Sequence, residues 1–224
     1  AMLRNLGKLT AVGLLTGLDP HTRHICGVLA DQERLRKARL HPLAFLNALR
    51  VYQQGHGDKG KLTWQPVGQV VDALDAAFYA AFRTVRPTGK RLLLALDISG
   101  SMDVSKIAGT GLSAREASAA LALVTAAVEP HYTMVGFTCS GRFGDYRSNW
   151  GLTRLDISPR QRLDDVVKRL AALPMGGTDC ALPMLEAVRQ QWDVDAFCIF
   201  TDSETWAGGT HPSQALRDYR ASRN

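Results

Sequence analysis

The most constraining feature of the sequence is an uninterrupted apolar run that ends in a cluster of small polar residues. The run LLLALDI covers residues 92–98, and Asp97, Ser99 and Ser101 follow one another in alternation at its end. A strand without polar alternation is typically buried on both faces, as the strands of parallel sheets are. The sequence therefore predicts a buried parallel strand whose carboxyl end presents side-chain oxygen atoms.

Helical and strand-like segments alternate after this first strand. Further strands are expected at HYTMVGFT and at DAFCIFTD, the second again a buried strand, and the polar segment 140–157 is expected to hold an edge strand. This alternation predicts an α/β fold with a mostly parallel, Rossmann-like sheet flanked by helices. The sequence stops in or just after a helix, where another strand is expected. We therefore favour a sheet truncated at its C-terminal end over an unusually small one.

Residues 1–85 read instead as helices with short breaks. The first helix, NLGKLTAVGLL, is expected to end at Gly17, and another begins at Pro42, a residue favoured in the first turn of a helix. The aromatic residues Trp64, Phe78 and Phe82 are expected in the core. The domain organisation is then a helical segment over 1–85, a linker over 86–90 and an α/β domain over 91–224.

Composition narrows the class of protein. The 224 residues are 46% hydrophobic, and no run of about 18 apolar residues indicates a membrane span. The four cysteines show no C-x-x-C spacing, so we interpret them as reduced thiols, with Cys198 in the core of a strand. The start lacks the features of a signal peptide. We expect a cytoplasmic protein without a membrane partner.

The positive charge is concentrated in the first part of the chain. Residues 1–90 hold 13 Lys and Arg against 6 Asp and Glu, whereas residues 91–224 hold 14 against 15. Such asymmetry suggests a polyanionic partner for the first part, although a solvated helical surface explains it almost as well. His56, Lys59 and Lys61 are candidates for phosphate contact, but we favour a solvated loop, and RNA-binding residues stay unassigned.

Two later segments bring further oxygen donors to the same edge of the sheet. Thr178 lies in GGTD before a helix, and Asp202 lies in FTDSE after the last strand. In open α/β sheets, ligands bind at the carboxyl ends of the strands. Five oxygen donors without His or Cys favour Mg²⁺, with Mn²⁺ and Ca²⁺ as alternatives. The predicted metal ligands are Asp97, Ser99, Ser101, Thr178 and Asp202.

Other interpretations explain these segments less well. Asp, Ser and Thr are favoured helix caps, which accounts for one such loop more readily than for three. A phosphatase is disfavoured because Ser99 stands where a second acid is needed. The sequence contains no G-x-S-x-G elbow, P-loop or G-x-G-x-x-G motif. We therefore expect no catalytic residues and no enzymatic activity.

The pattern D-x-S-x-S, followed by a loop Thr and a strand-end Asp, resembles the metal-ion-dependent adhesion site of von Willebrand factor A domains. Five longer segments resemble sequences of the Ro (TROVE-domain) ribonucleoprotein family. These segments are KARLHPLAFLNAL, GHGDKGKLTWQP, DALDAAFYAAFRTVRPTGKR, MGGTDCALPM and FTDSETWAGGTHP. The resemblance implies that residues 1–85 are the last HEAT-like helices of a ring and that residues 91–224 are most of an A domain.

The same resemblance implies a function. Members of the family bind small noncoding Y RNAs and misfolded RNAs in RNA quality control, and they are not known as enzymes. The cation of the A domain is expected to bind a protein ligand that supplies a carboxylate. The alternative is a metal-dependent adhesion or scaffold domain that binds proteins and has no direct role with RNA.

Overall fold

The computed structural model describes residues 2–57, 60–139, 151–202 and 205–223. The chain divides into two compact units, the first comprising Ala1–Arg86 with Ile107–Leu112 and the second Pro87–Lys106 with Ser113–Asn224. Within the first unit, the backbone N–H of Gly111 donates to the side-chain oxygen of Asn47 at 3.1 Å. This contact holds the short segment Ile107–Leu112 in the first unit.

The described part of the first unit is helical, as the sequence predicts. Its helices are α1 (Met2–Ala11), α2 (Pro20–Ala30), α3 (Gln32–Ala38), α4 (Pro42–Gln53), α5 (Gly68–Ala80) and a 3₁₀ helix (Ala81–Thr84). The expected end of the first helix at Gly17 is wrong. Gly13 has a φ of +78°, and its N–H donates to the Thr10 carbonyl. The N–H of Leu14 donates to the Leu9 carbonyl. These two bonds form a Schellman motif, which ends α1 before Gly17.

Tyr52 of α4 is the centre of the packing in the first unit. Its ring is 2% exposed, and its hydroxyl lies 2.8 Å from the Thr10 hydroxyl and accepts from the Val67 N–H at 3.2 Å. The indole N–H of Trp64 donates to the Tyr52 carbonyl at 2.9 Å. Phe78 and Phe82 are buried, as predicted, whereas Trp64 is only half-buried. One tyrosine therefore joins α1, α4 and the segment leading into α5.

The second unit is built on a four-stranded sheet in the described residues. Its elements are β1 (Leu92–Asp97), α6 (Ser101–Val104), α7 (Ala114–Val128), β2 (Tyr132–Phe137), β3 (Leu152–Arg154), α8 (Leu163–Ala171), α9 (Leu182–Arg189), β4 (Ala196–Phe200) and α10 (Pro212–Ser222). The strand order is β3-β2-β1-β4. Strand β1 runs parallel to β2 and β4, and β3 pairs antiparallel with β2. The α/β fold with a mostly parallel sheet is thus confirmed.

The burial of the strands follows from this order. Leu93, Leu94 and Leu96 on both faces of β1 are 0% exposed, which confirms the prediction for the first strand. The prediction of a buried last strand is wrong, because β4 is only half-buried and Cys198 within it is partly exposed. The reason is topological, since β4 forms an edge of the sheet among the described residues. Strand β3 is the edge strand expected in 140–157, of which residues 140–150 lie outside the described part.

Glu129, at the end of α7, holds the backbone that leads into β1. Its carboxylate accepts from the N–H groups of Thr88 at 2.7 Å and Gly89 at 3.0 Å. The Thr88 N–H, helped by that of Gly89, lowers the pKa of the Glu129 carboxyl below its ordinary value of 4.5. A carboxylate with a lowered pKa stabilises the folded state above its unfolded pKa, and this stability is lost as the pH falls through the folded pKa.

Replacing Glu129 by glutamine is therefore expected to lower stability at neutral pH, because an amide lacks the charge and the second acceptor oxygen. The difference from the native chain should shrink as the pH falls below 4.5. Thermal unfolding of both chains between neutral pH and about pH 3 measures this convergence. A difference that is independent of pH would show that the charge of Glu129 contributes nothing.

Candidate functional site

The first loop of the candidate site begins where β1 ends. Asp97 is 1% exposed, and its Oδ1 accepts from the backbone N–H of Ser99 at 2.8 Å. This hydrogen bond curls the chain immediately after the strand, as Asp side chains do in tight turns. The hydroxyl oxygens of Ser99 and Ser101 lie 3.1 Å apart as a result. The two serine hydroxyls of the D-x-S-x-S segment thus lie together, and Asp97 holds the turn that precedes them.

The second loop contacts the first through a buried threonine. The Thr178 hydroxyl donates to Oδ2 of Asp97 at 3.3 Å, and Thr178 is 2% exposed. The glycines before it permit a close approach, since a Cβ on Gly176 would lie 2.5 Å from the Thr138 hydroxyl. That hydroxyl in turn donates to the Gly177 carbonyl at 2.8 Å. A side chain at Gly176 would push the second loop away from the sheet.

The third loop follows β4 and contacts the first loop twice. The Thr201 hydroxyl donates to Oδ2 of Asp97 at 2.9 Å. The next residue, Asp202, accepts from the Ser105 hydroxyl at 2.8 Å through its Oδ2. Thr201 and Ser105 were not predicted from the sequence. The only signals for them are their positions beside Asp202 and shortly after Ser101.

Backbone hydrogen bonds join the third loop to the second. The N–H groups of Trp206 and Ala207 donate to the Thr178 carbonyl at 3.2 and 3.1 Å. In the other direction, the Cys180 N–H donates to the Thr205 hydroxyl at 3.1 Å. Together with the contacts to Asp97, these bonds hold all three loops against one another at the carboxyl end of the sheet.

The five predicted ligands are therefore placed as follows. Direct hydrogen bonds bring Asp97 together with Thr178, and Ser99 together with Ser101. Asp202 is joined to the first loop through Ser105. The hydroxyls that donate to the Asp97 carboxylate still have lone pairs on their oxygen atoms, and these lone pairs can coordinate a cation.

Burial raises the pKa of two side chains beside the site, one a carboxyl and the other a thiol. Burial raises the pKa of the Asp179 carboxyl above its ordinary value of 3.8, and backbone N–H groups of Ala181 and Leu182 oppose this effect. Burial likewise raises the pKa of the Cys180 thiol above its ordinary value of 9.0. In the absence of a metal, Cys180 is therefore protonated at neutral pH.

The donor set fits a hard cation. It consists of two carboxylates and three hydroxyls, and such oxygen-only sets suit Mg²⁺, Mn²⁺ or Ca²⁺. Within the ranges that the structure describes, no group of three or more His, Cys, Asp or Glu side chains is placed to hold a metal. A centre of the zinc type consequently has no candidate in that part of the chain.

A buried arginine supports the first loop from behind. Arg115 of α7 is 1% exposed, its Nε and Nη2 donate to the Asp103 carboxylate at 2.5 and 3.1 Å, and Nη2 also donates to the Ser99 carbonyl at 3.0 Å. This residue was missed from the sequence. Its one signal is a lone arginine at the start of an alanine-rich helix, whose cap Ser113 accepts from the Glu116 N–H through its hydroxyl.

The basic loop of the first unit is less informative. His56 forms an isolated antiparallel bridge with Thr63, and the side chains of His56 and Lys61 are exposed. Lys59 lies outside the described residues. The exposure of His56 and Lys61 is compatible both with phosphate contact and with the solvated loop that we favour.

Comparison with known proteins matches both units to family models. The model for the Ro60 vWA domain matches residues 91–224, and the model for the TROVE domain matches residues 1–50. No helix in the described part of the chain is both long enough and apolar enough to cross a membrane.

Relatives and a solved structure indicate the same family. The chain is 44% identical over 220 residues to the RNA-binding protein RO60 of Deinococcus radiodurans, covering 97% of this chain and 39% of the relative. It is 42% identical to the RNA-binding protein RO60 of Caenorhabditis elegans over 220 residues, covering 98% of this chain and 32% of the relative. The crystal structure of the Deinococcus radiodurans RO (RSR) protein superimposes with a TM-score of 0.87 at 43% identity, covering 99% of this chain and 43% of that one.

The chain thus spans well under half the length of these relatives. The matches nevertheless extend over nearly all of its own residues and include both the helical unit and the sheet with its three loops. By sequence and by fold, the chain belongs to the Ro (TROVE-domain) ribonucleoprotein family.

Proposed function

We propose that this chain is part of a cytoplasmic, non-enzymatic RNA-binding protein of the Ro type. Its first unit contributes to holding noncoding Y RNA and misfolded RNA, and its second unit holds a divalent cation that binds an acidic protein ligand. The four cysteines form no disulfide bond, which supports a reducing compartment.

The assignment of RNA to the first unit rests on relatives and on charge. Two relatives that are more than 40% identical are named RNA-binding proteins. The positive excess lies in residues 1–90, whereas residues 91–224 carry one more acidic than basic residue. Binding to a phosphate backbone requires Lys and Arg and weakens steeply with salt. RNA is therefore expected to contact the first unit and not the loops at Asp97.

Binding of a Y-like hairpin RNA is accordingly expected to fall with rising salt and to be the same in the native chain and in Asp97→Ala. Filter binding over a salt series measures both quantities. Equal losses of RNA binding in Asp97→Ala and on chelation of the metal would contradict this division of roles. An absence of salt-dependent binding in both chains would favour the protein-binding alternative without a role for RNA.

The metal proposal is carried by one observation, namely that hydroxyls from the second and third loops both donate to Oδ2 of Asp97. Asp97, Ser99, Ser101, Thr178 and Asp202 would hold the ion. A bound divalent cation supplies a positive charge with open coordination positions. Two carboxylates only just neutralise that charge, so the chain's own residues leave room for an anion from a partner.

Removing one of these carboxylates is expected to weaken Mg²⁺ binding by about ten-fold or more, because half of the negative charge is lost. Isothermal titration of Mg²⁺ into the native chain and into Asp202→Ala measures the change. Asp218→Ala, on α10 where Asp218 accepts from Gln214, is the matched control. Equal affinities in the native chain and in Asp202→Ala would overturn the metal assignment.

A further inference from the structure

The exposed apolar residues of the second unit are not scattered. Among its described residues, the large hydrophobic side chains that stand in solvent are Val104 (77% exposed), Met175 (61%) and Trp206 (68%). Single exposed apolar residues are ordinary, but a group that surrounds a polar site marks a binding surface. Each of the three lies on a different loop of the candidate metal site. We call Val104, Met175 and Trp206 the apolar rim.

Glycines bring two members of the rim close to the metal ligands. A Cβ on Gly100, between Ser99 and Ser101, would lie 3.4 Å from Sδ of Met175. The thioether of Met175, on the second loop, therefore lies over the first loop. Val104 stands three residues after Ser101 in the same short helix.

Trp206 repeats this arrangement between the third loop and the second. A Cβ on Gly177 would lie 2.7 Å from the six-membered ring of Trp206, so the indole covers the backbone immediately before Thr178. The backbone N–H of Trp206 donates to the Thr178 carbonyl and fixes the main chain at this point. The edge of the six-membered ring thus contacts the second loop, while 68% of Trp206 stays exposed and is available to a partner, and tryptophan is among the residues enriched at interface hot spots.

The charge of the three loops decides which class of partner fits. Segments 97–105, 173–182 and 201–211 contain five acidic residues and neither Lys nor Arg. A nucleic-acid surface needs basic side chains to neutralise successive phosphates. These loops offer no basic side chain to successive phosphates, and they accept a single anion at the metal. Val104 and Met175 also lack the flat π-faces on which bases stack.

From this pattern we propose that the ligand of the second unit is a protein segment in which one acidic side chain is flanked by bulky apolar side chains. The carboxylate binds the cation, and the apolar neighbours pack against the rim. This inference rests on the proposed metal site and adds the chemistry of the partner. Burial of Trp206, Met175 and Val104 gives the contact an affinity that a single carboxylate on an exposed ion lacks.

The test is selection of a displayed random peptide library on the immobilised full chain in Mg²⁺, with elution by EDTA. The expected peptides share an Asp or Glu with an aromatic or branched aliphatic residue within two positions. A synthetic selected peptide should lose about ten-fold or more in affinity when its acid is changed to the amide, and a similar amount on Trp206→Ala. Leu18→Ser, which changes an exposed apolar residue of the first unit, should leave its binding unchanged.

Three readouts separate failure of the inference from failure of the metal proposal. Titration of Mg²⁺ should give the same affinity for the native chain and Trp206→Ala, and Val104→Ser provides a second rim variant that leaves the indole in place. Unchanged Mg²⁺ binding with unchanged peptide affinity in both rim variants would overturn the inference alone. Absence of Mg²⁺ binding in the native chain would overturn both. Metal-dependent binding of a single-stranded RNA that Trp206→Ala abolishes would replace the protein partner by RNA.

Discussion

Replacing Asp103 by alanine is expected to lower the free energy of unfolding by about 3 kcal/mol. Asp103 is the partner of the Arg115 guanidinium, which is 1% exposed. Without that carboxylate, a positive charge stays in the protein interior with only the Ser99 carbonyl as a described hydrogen-bond acceptor. Breaking a buried pair from one side is costly because the remaining charge is left uncompensated. The large effect is expected even though Asp103 itself is half exposed.

A double variant separates this explanation from a general loss of packing. Arg115→Met removes the charge and keeps much of the volume, so Asp103→Ala combined with Arg115→Met should recover most of the loss, to within about 1 kcal/mol of the native chain. Urea denaturation of the native chain, both single variants and the double variant completes the cycle. A double variant that is no more stable than Asp103→Ala would show that the buried charge is not the cause.

Much of the fold follows from local patterns in the sequence. The unbroken apolar run in β1 predicts burial on both faces, and the alternation of strands and helices predicts parallel pairing. The half-buried state of β4 does not follow, because its residues are as apolar as those of β1 and only the strand order distinguishes an edge from a centre. The early end of α1 depends on a positive φ at Gly13, and Gly17 is an equally plausible stop from sequence alone.

The candidate site was predictable to the extent that it depends on strand ends. Asp97 and Asp202 follow strands that a parallel sheet brings to one edge, so their neighbourhood is implied by topology, whereas Thr178 lies in a loop between two helices. The positions of the residues that support these ligands are not implied by topology. Arg115 is charged and would be assigned to a solvated face by helical periodicity, and its burial depends on the tertiary contact with Asp103. Ser105 and Thr201 are ordinary loop residues until the loops are seen together.

Gly7→Ala and Gly27→Ala are expected to change stability in opposite directions, although both place a methyl group within a helix. In α1, a Cβ on Gly7 would lie 2.6 Å from ring carbons of Trp64. The indole cannot easily move, because its N–H donates to the Tyr52 carbonyl and its ring stacks on that of Tyr52. Overpacking of this kind costs about 2 kcal/mol. In α2, Gly27 has nothing within 4 Å of its Cβ position, so alanine should stabilise by up to about 1 kcal/mol through helix propensity.

The two variants control for each other, since the chemical change and the gain in helix propensity are the same. Urea denaturation should separate them by about 2 kcal/mol, and hydrogen exchange of the α4 amides reports the first unit independently of the second. Trp64→Leu should reduce the penalty of Gly7→Ala, because the rigid ring that meets the new methyl group is gone. If Gly7→Ala is as stabilising as Gly27→Ala, then α1 does not pack closely against Trp64. That result would also contradict the role of Tyr52 in joining α1 to α4.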